Sequence, residues 1–234
     1  MTGLVAGVDC STQATKVVVV DAASGRAVAS GRCANKVLRR GPSSETDPHD
    51  WWDALRDAIA ATGCGPSIGA VSIAAQQLGL VTLDGAHRPL RPAVLWHDTR
   101  SAHAAERLQE ALGGPAAWAE LVGTQPMAGL TVASWAWLRQ AEPETAAATQ
   151  HIRLPHDYLT ERLTGQAVTD RGDASGTGWW SGRRETYVDE VLALSEVALD
   201  ERLLPRVVAH VAPAGQVRHA AAQDLGLRPG IPVG

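Results

Sequence analysis

The run Asp9-Cys10-Ser11-Thr12-Gln13-Ala14-Thr15-Lys16 holds the most concentrated chemistry in the chain. A carboxylate follows the apolar stretch Leu4 to Val8, and a Lys opens the β-branched stretch that ends at Val20. Small residues between them let backbone N–H groups approach phosphate oxygens. The Ser11 and Thr12 hydroxyls and the Gln13 amide add donors, Lys16 adds a positive charge, and Asp9 can hold Mg²⁺ through water. The G-x-x-x-x-G-K-[ST] phosphate loop is absent from the chain. A polar turn with a solvated Asp fits the same spacing, and spacing alone leaves that reading open. Two further segments carry polar groups beside predicted strands. They are Gln76-Gln77-Leu78-Gly79 and the stretch from Arg91 to Arg100, which includes Trp96 and Asp98.

The surrounding pattern predicts the elements that hold these groups. Leu4–Val8, Lys16–Val20 and Arg26–Gly31 read as strands joined by short turns, an antiparallel meander. Asp47 is an N-cap with Pro48 at the first helical position, and Trp52, Leu55 and Ile59 share one face. Ala70–Ala74 reads as a buried strand ending at Gln76. Leu80–Leu83 and Leu90–Trp96 read as a hairpin around Asp84-Gly85. Helices follow at 101–112, capped by Asp98 or Thr99, then at 115–121, 131–140, 157–163, 187–194 and 220–225. Extended pieces fall at 152–154, 167–169, 177–180 and 231–233. A meander followed by strand–helix alternation makes the fold class α/β.

Composition narrows the partners. The 234 residues are 45% hydrophobic and 20% charged, ordinary for a folded domain. A net charge of −4 argues against a nucleic-acid binder. No apolar run approaches the ~20 residues of a membrane span, and the first residues lack the basic start of a signal peptide. Three cysteines without metal spacing predict a reducing, cytoplasmic setting. Cys10 reads as a small buried filler. His97, His103, His151 and His156 lack metal spacing and read as solvated or capping groups. Only Lys16 and Lys36 are lysine, and Asn35 is the sole Asn. Phe is absent while Trp occurs 8 times. Trp51 and Trp52 are expected to face different surroundings, one of them a cleft or interface. Trp179 and Trp180 are expected to lie one in and one out.

Several motifs occur in one order: Asp9-x-Ser11-Thr12-Gln13-x-x-Lys16, Gln76-Gln77-x-Gly79, and Arg91-Pro92-Ala93-x-Leu95-Trp96-x-Asp98-x-Arg100. Then come Leu154-Pro155-His156-Asp157-Tyr158-Leu159, Leu163-Thr164-Gly165 and Thr169-Asp170-x-x-Asp173-Ala174-Ser175-Gly176-Thr177. Together they resemble the N-terminal half of the FGGY-type carbohydrate kinases, nearest to the xylulokinase branch. The resemblance implies an actin-like, ribonuclease-H-like domain whose mixed sheet combines the three-stranded meander with parallel strands. Helices flank the sheet, and an α+β segment is inserted. It implies that residues 1–234 form a sugar-binding domain, with ATP shared with a C-terminal domain outside this chain. The implied reaction moves the γ-phosphate of ATP to a pentulose, D-xylulose first, with Mg²⁺. The alternatives are a kinase for another pentulose or polyol, and a non-catalytic sugar-binding module. The implied roles are Asp9 for Mg²⁺, and Ser11, Thr12, Gln13 and Lys16 for phosphate. Gln76, Gln77, Leu78, Trp96, Asp98 and Arg100 are implied for the sugar. The proton-accepting Asp is expected beyond Gly234. A small-molecule sugar and a nucleotide are the expected partners, a homodimer is compatible, and neither nucleic acid nor membrane is expected. Leu78, His97 and Ser134 depart from the family pattern, where His, Asn and Lys are usual, and Leu78 keeps the identity of the sugar open.

Overall fold

The computed structural model describes residues 3–209 and 211–234. The strands and helices run β1 (Leu4–Cys10), β2 (Ala14–Asp21), β3 (Ala27–Ala34), β4 (Leu38–Arg40), β5 (Ser43–Thr46), α1 (Pro48–Thr62), β6 (Ile68–Ala75), β7 (Val81–Leu83) and β8 (Ala93–Val94). Next come α2 (Ala102–Ala111), α3 (Pro115–Val122), α4 (Thr131–Ala141), α5 (Pro143–Ala148), β9 (His151–Arg153), α6 (Pro155–Thr164), β10 (Val168–Asp170) and α7 (Arg171–Ser175). The last are β11 (Trp180–Ser181), β12 (Thr186–Tyr187), α8 (Asp189–Leu192), β13 (Arg206–Val208), β14 (Gly215–Gln216), α9 (His219–Leu225) and β15 (Pro232–Val233).

The main sheet has the order β14-β15-β6-β1-β2-β3. β1, β2 and β3 form the antiparallel meander, with Asp9 directly opposite Lys16. β6 adds to β1 in parallel, and β15 adds to β6 in parallel. Alternation decides which face is covered. Ala6, Val8, Val17, Val19, Val71 and Ile73 are buried beneath helices, while Gly7, Asp9, Lys16 and Ser72 are exposed on the other face. α1 starts as the sequence predicts: the Asp47 side chain accepts from the His49 N–H at 2.9 Å, and Gly63 closes it in the left-handed conformation. α1, α6 and α9 pack together on the covered face and enclose the first core.

A second core lies around α2, α3 and α4, with Trp118, Trp135, Trp179 and Trp180 inside it. This is the inserted α+β segment. Two aromatic expectations are corrected here. Trp51 and Trp52 are both buried, because α1 meets the sheet on one side and α6 and α9 on others. Trp179 and Trp180 are both buried too, since they lie at a turn and a two-residue strand rather than in a regular strand. The predicted hairpin forms around Asp84-Gly85 through the bridges Leu80↔Val94 and Leu83↔Pro89, with the Leu90 N–H donating to the Thr82 carbonyl at 3.0 Å. β7 also pairs with β9, and β8 with β5, so the remaining strand edges are used by distant segments. α2 starts at Ser101 without a side-chain cap, because Asp98 is engaged elsewhere. Among the described residues no helix is long and apolar enough to cross a membrane.

Candidate active site

The ends of β1 and β6 lie side by side, and the Gln76 N–H donates to the Cys10 carbonyl at 2.9 Å. That places the Ser11–Gln13 turn against Gln76. Lys16 Nζ lies 3.0 Å from Asp9 Oδ2, and the two side chains are 49% and 51% exposed. Both remain in water, so the pair holds itself weakly and can exchange partners. The Ser11 N–H and hydroxyl both turn inward to the Ala14 carbonyl, at 3.1 and 2.9 Å. The Thr12 and Gln13 amides donate to no protein atom among the described residues. Cys10 is fully buried, and burial pushes its thiol up to about 11, which makes it an unreactive filler at neutral pH.

Asn35 fastens the turn, a role the sequence reading did not find. Its Nδ2 donates to the Ser11 carbonyl at 2.6 Å, and its N–H donates to the Gln13 carbonyl at 2.9 Å. The Thr15 hydroxyl donates to its Oδ1 at 2.9 Å. The available signal was its being the only Asn in the chain.

Thr12 joins three segments. Its hydroxyl donates to Gln76 Oε1 at 3.1 Å and accepts from Trp96 Nε1 at 3.0 Å. Gln76 is 8% exposed, and its Nε2 has no partner among the described residues. A buried amide with an unspent donor suits a polar ligand. Trp96 stands 48% exposed beside it. Gly129 supports the Trp96 backbone so closely that an added Cβ would lie 1.8 Å from the Trp96 carbonyl oxygen. Only glycine fits there, and its φ of +81° agrees.

Asp98 and Arg100 make their contacts within the protein. Asp98 is 1% exposed and accepts from the Ser44 N–H, the Arg100 N–H and the Arg100 guanidinium. Arg100 also reaches Glu45 and lies 4.2 Å over the Trp137 ring. His97 bonds Ser44 Oγ at 2.6 Å, and burial lowers its basicity. These groups brace the segment that carries Trp96.

The Gln76–Gly79 turn is clamped from below. Leu78 has a φ of 67°, a left-handed conformation that costs a Leu ~1–2 kcal/mol. Its carbonyl accepts from the Thr131 hydroxyl at 3.0 Å, and its side chain packs toward Gly176 and the second core. A Cβ on Gly79 would meet Pro155 at 2.8 Å. Gln77 is exposed.

Asp173 belongs to a buried charged group. His156 Nδ1 lies 3.2 Å from Asp157 Oδ1 and 3.5 Å from Asp173 Oδ2. All three residues are at most 8% exposed, which corrects the expectation of a solvated His156. Burial disfavours the His156 charge, but the Asp157 hydrogen bond and the adjoining carboxylates outweigh it and push its pKa up to about 9. Burial pushes Asp173 up to about 7, against the pull of His156. His156, Asp170 and Asp173 place ligand-type atoms within 4.8 Å of one another. In this structure His156 Nδ1 pairs with the Asp157 and Asp173 carboxylates, which makes the group an ion-paired cluster. Asp157 also accepts from the Leu154 N–H at 2.9 Å, and Asp170 from the Gly172 and Asp173 N–H groups.

Residues 4–234 match the N-terminal domain of the FGGY family of carbohydrate kinases. A xylulose kinase of Streptomyces coelicolor is 53% identical over 251 aligned positions, covering 98% of this chain and 52% of the relative. The structure titled xylulose kinase from Bifidobacterium adolescentis superposes with a TM-score of 0.85 at 30% identity, covering 99% of this chain and 52% of that one. A gluconate kinase from Lactobacillus acidophilus reaches a TM-score of 0.89 at 24% identity, covering 99% and 47%, and shows the shared fold alone. The chain spans about half the length of the curated relatives named above. With the motifs in order, the mixed sheet in place and 231 residues in register, the chain belongs to the FGGY family of carbohydrate kinases, as its N-terminal domain.

Proposed function

We propose that this chain supplies the sugar-binding lobe of an ATP-dependent, cytoplasmic kinase that phosphorylates D-xylulose. The observation that carries the reading is the Thr12 hydroxyl, which ties the polar turn to Gln76 and Trp96. One hydroxyl thereby fixes the spacing between a phosphate-type turn and a shelf of sugar-type contacts. In-line phosphoryl transfer depends mainly on such positioning and on charge stabilisation. The relatives named xylulose kinase support the choice of sugar. Three free cysteines agree with a reducing compartment.

In this reading the Thr12 and Gln13 amides and the Lys16 ammonium face phosphate oxygens. Gln76 Nε2 and Gln77 bond sugar hydroxyls, and the Trp96 ring bounds the sugar. Asp98 and Arg100 act by holding Trp96. Leu78 contributes its backbone and an apolar wall. Asp9 is a half-exposed hard carboxylate with one ion-pair partner among the described residues, which suits Mg²⁺ bound through water. When bound, Mg²⁺ would neutralise charge on the transferred phosphate. The proton-accepting Asp and most of the ATP contacts are placed in the half of the relatives' length that this chain does not span.

Calorimetric titration with D-xylulose tests the sugar site. The expected result is saturable binding that is lost in Gln77→Ala and keeps its enthalpy sign in Asp9→Asn, with negligible ATP-dependent turnover by the 234 residues alone. Saturable binding of a different pentulose or polyol, with none of D-xylulose, would reject the assigned substrate. Turnover by these residues at the ~1–100 s⁻¹ of ordinary kinases would reject the division of labour.

A further inference from the structure

At the far end of α6 from His156 lies a cavity of about 330 Å³, outside the Thr12–Gln76 shelf. His49, His87, Arg88, Glu161, Arg162 and Arg218 line it. The volume falls at the lower end of the ~300–1,000 Å³ typical of small-molecule sites. Its charge is unbalanced. Glu161 is already engaged by Arg153 at 2.5 Å and His87 at 2.7 Å. Arg88 is taken by Asp84. Asp224 accepts from Trp52 Nε1, and Asp47 from the His49 N–H. Arg162 and Arg218 have no carboxylate partner among the described residues.

The walls are built rather than loose. The Arg162 guanidinium lies 4.2 Å over the Trp52 ring and 5.8 Å from the Tyr158 ring. Its Nη1 donates to the Tyr158 hydroxyl at 3.2 Å and meets His49 Nδ1 at 3.3 Å. The stacking fixes the plane of the fork and leaves Nε and Nη2 without partners among the described residues. The β7 loop folds around Asp84, which accepts from the Ala86 and Arg88 N–H groups. That loop holds His87 in a left-handed conformation, φ 57°, with its ring stacked on His151 at 4.2 Å and 8° between planes. His87 Nδ1 faces Glu161, and Nε2 has no partner among the described residues. A fixed planar fork and a second arginine match a tetrahedral dianion, which offers several acceptors to bidentate guanidinium contacts.

We propose that this cavity is a second anion site that binds a phosphate dianion, carried by a small phosphate ester or as the free ion. Titration of the protein with inorganic phosphate, read by amide NMR, tests it. The expected result is saturable shifts at the His87, Arg88, Gly165 and Arg218 amides. Affinity is expected to fall at least fivefold in Arg218→Gln and to vanish when Arg162→Gln is added. Arg218 is exposed, so its variant decides the matter if the double variant melts early. A ribose 5-phosphate arm separates the sources: tighter binding than phosphate supports an ester, and equal binding supports the free ion. Shifts confined to Ser11–Gln13, unchanged affinity in Arg218→Gln, or equal saturation by acetate would overturn the proposal.

Discussion

Two charged groups, the Asp9–Lys16 pair and the His156 cluster, differ in almost every physical respect. Asp9 and Lys16 face water on the open face of the sheet, near the end of β1, with half of each side chain exposed. His156, Asp157 and Asp173 are buried under the turn, with burial working against His156 and its carboxylates holding its proton. Screened by water, the first pair contributes little to folding and is free to trade partners with a ligand. The second has already lost its water, so removing one member strands a buried charge. The chemistry of the candidate site therefore sits on groups the fold can spare, while the geometry of its floor rests on groups it cannot.

His156→Ala should make the largest difference to stability. It leaves two buried carboxylates facing each other without a cation, a loss expected at ~3–5 kcal/mol. Denaturant unfolding measures it, and a loss under ~1 kcal/mol would mean water or a counter-ion already serves the cluster. The pH dependence of the same cluster comes next. His156 has its folded pKa raised from 6.5 to about 9. Its contribution is complete below the unfolded value and is lost as pH rises through 9. Asp173 is raised from 3.8 to about 7, so the folded chain also binds the extra proton between those values. Both make the folded state the better proton binder, and both lower stability as pH rises. From pH 7 to pH 10 wild type should lose roughly 2–3 kcal/mol more than His156→Gln. Parallel stability curves for the two proteins would contradict a charged His156.

The same contrast explains what the sequence disclosed. The meander, the Asp47 and Pro48 start of α1 and the Gly165 end of α6 were legible because they are local: alternation, a cap, a glycine stop. The motifs at Asp9, Gln76 and Trp96 were legible because they stand in order along the chain. Their convergence on one Thr12 hydroxyl was not, since Trp96 is 84 positions away and no local pattern encodes that distance. The His156 cluster was hidden for a related reason. A His beside an Asp reads as a surface pair until Asp173, from another helix, and the Pro155–Gly79 contact remove the solvent. The β7 hairpin was legible because its partner is its neighbour in sequence, whereas the pairing of β7 with the distant β9 was not.

Asn35 and Leu78 occupy the middle ground. Asn35→Ala removes the Nδ2 contact that holds the Ser11 carbonyl inward and the Oδ1 that accepts from Thr15, keeps the backbone N–H contact to the Gln13 carbonyl, and should cost ~1–2 kcal/mol. It should also weaken nucleotide-dependent steps more than sugar binding, because it loosens the turn and leaves Gln76 in place. Leu78→His should change stability by under ~1 kcal/mol, since histidine tolerates the left-handed conformation better while losing the apolar contact near Gly176. Its measurement is the ratio of kcat/KM for D-xylulose against other pentuloses. A raised ratio places position 78 in the sugar site. An unchanged ratio with a lower melting temperature makes it a packing residue.

Asp9→Asn should have the smallest effect on the fold. An exposed pair typically contributes ~0–1 kcal/mol, and an amide in place of the carboxylate still reaches Lys16 through solvent. The Asp9–Ala74 and Asp9–Lys16 register is made by backbone groups, so β1 keeps its place. Sugar affinity should stay within about twofold, because Gln76, Gln77 and Trp96 are untouched. Turnover in the kinase carrying this lobe should nevertheless fall by ~10²-fold or more, the usual loss when one stabiliser of transition-state charge is removed. Lys16→Gln separates charge from geometry. If Asp9 acts on phosphate and metal, Lys16→Gln frees its carboxylate and spares metal dependence, whereas Asp9→Asn should raise the Mg²⁺ concentration needed for half-maximal rate. An Asp9→Asn variant with full turnover and a raised sugar KM would move Asp9 to the sugar side of the shelf. The phosphate contacts would then rest on the Thr12 and Gln13 amides and the Lys16 ammonium.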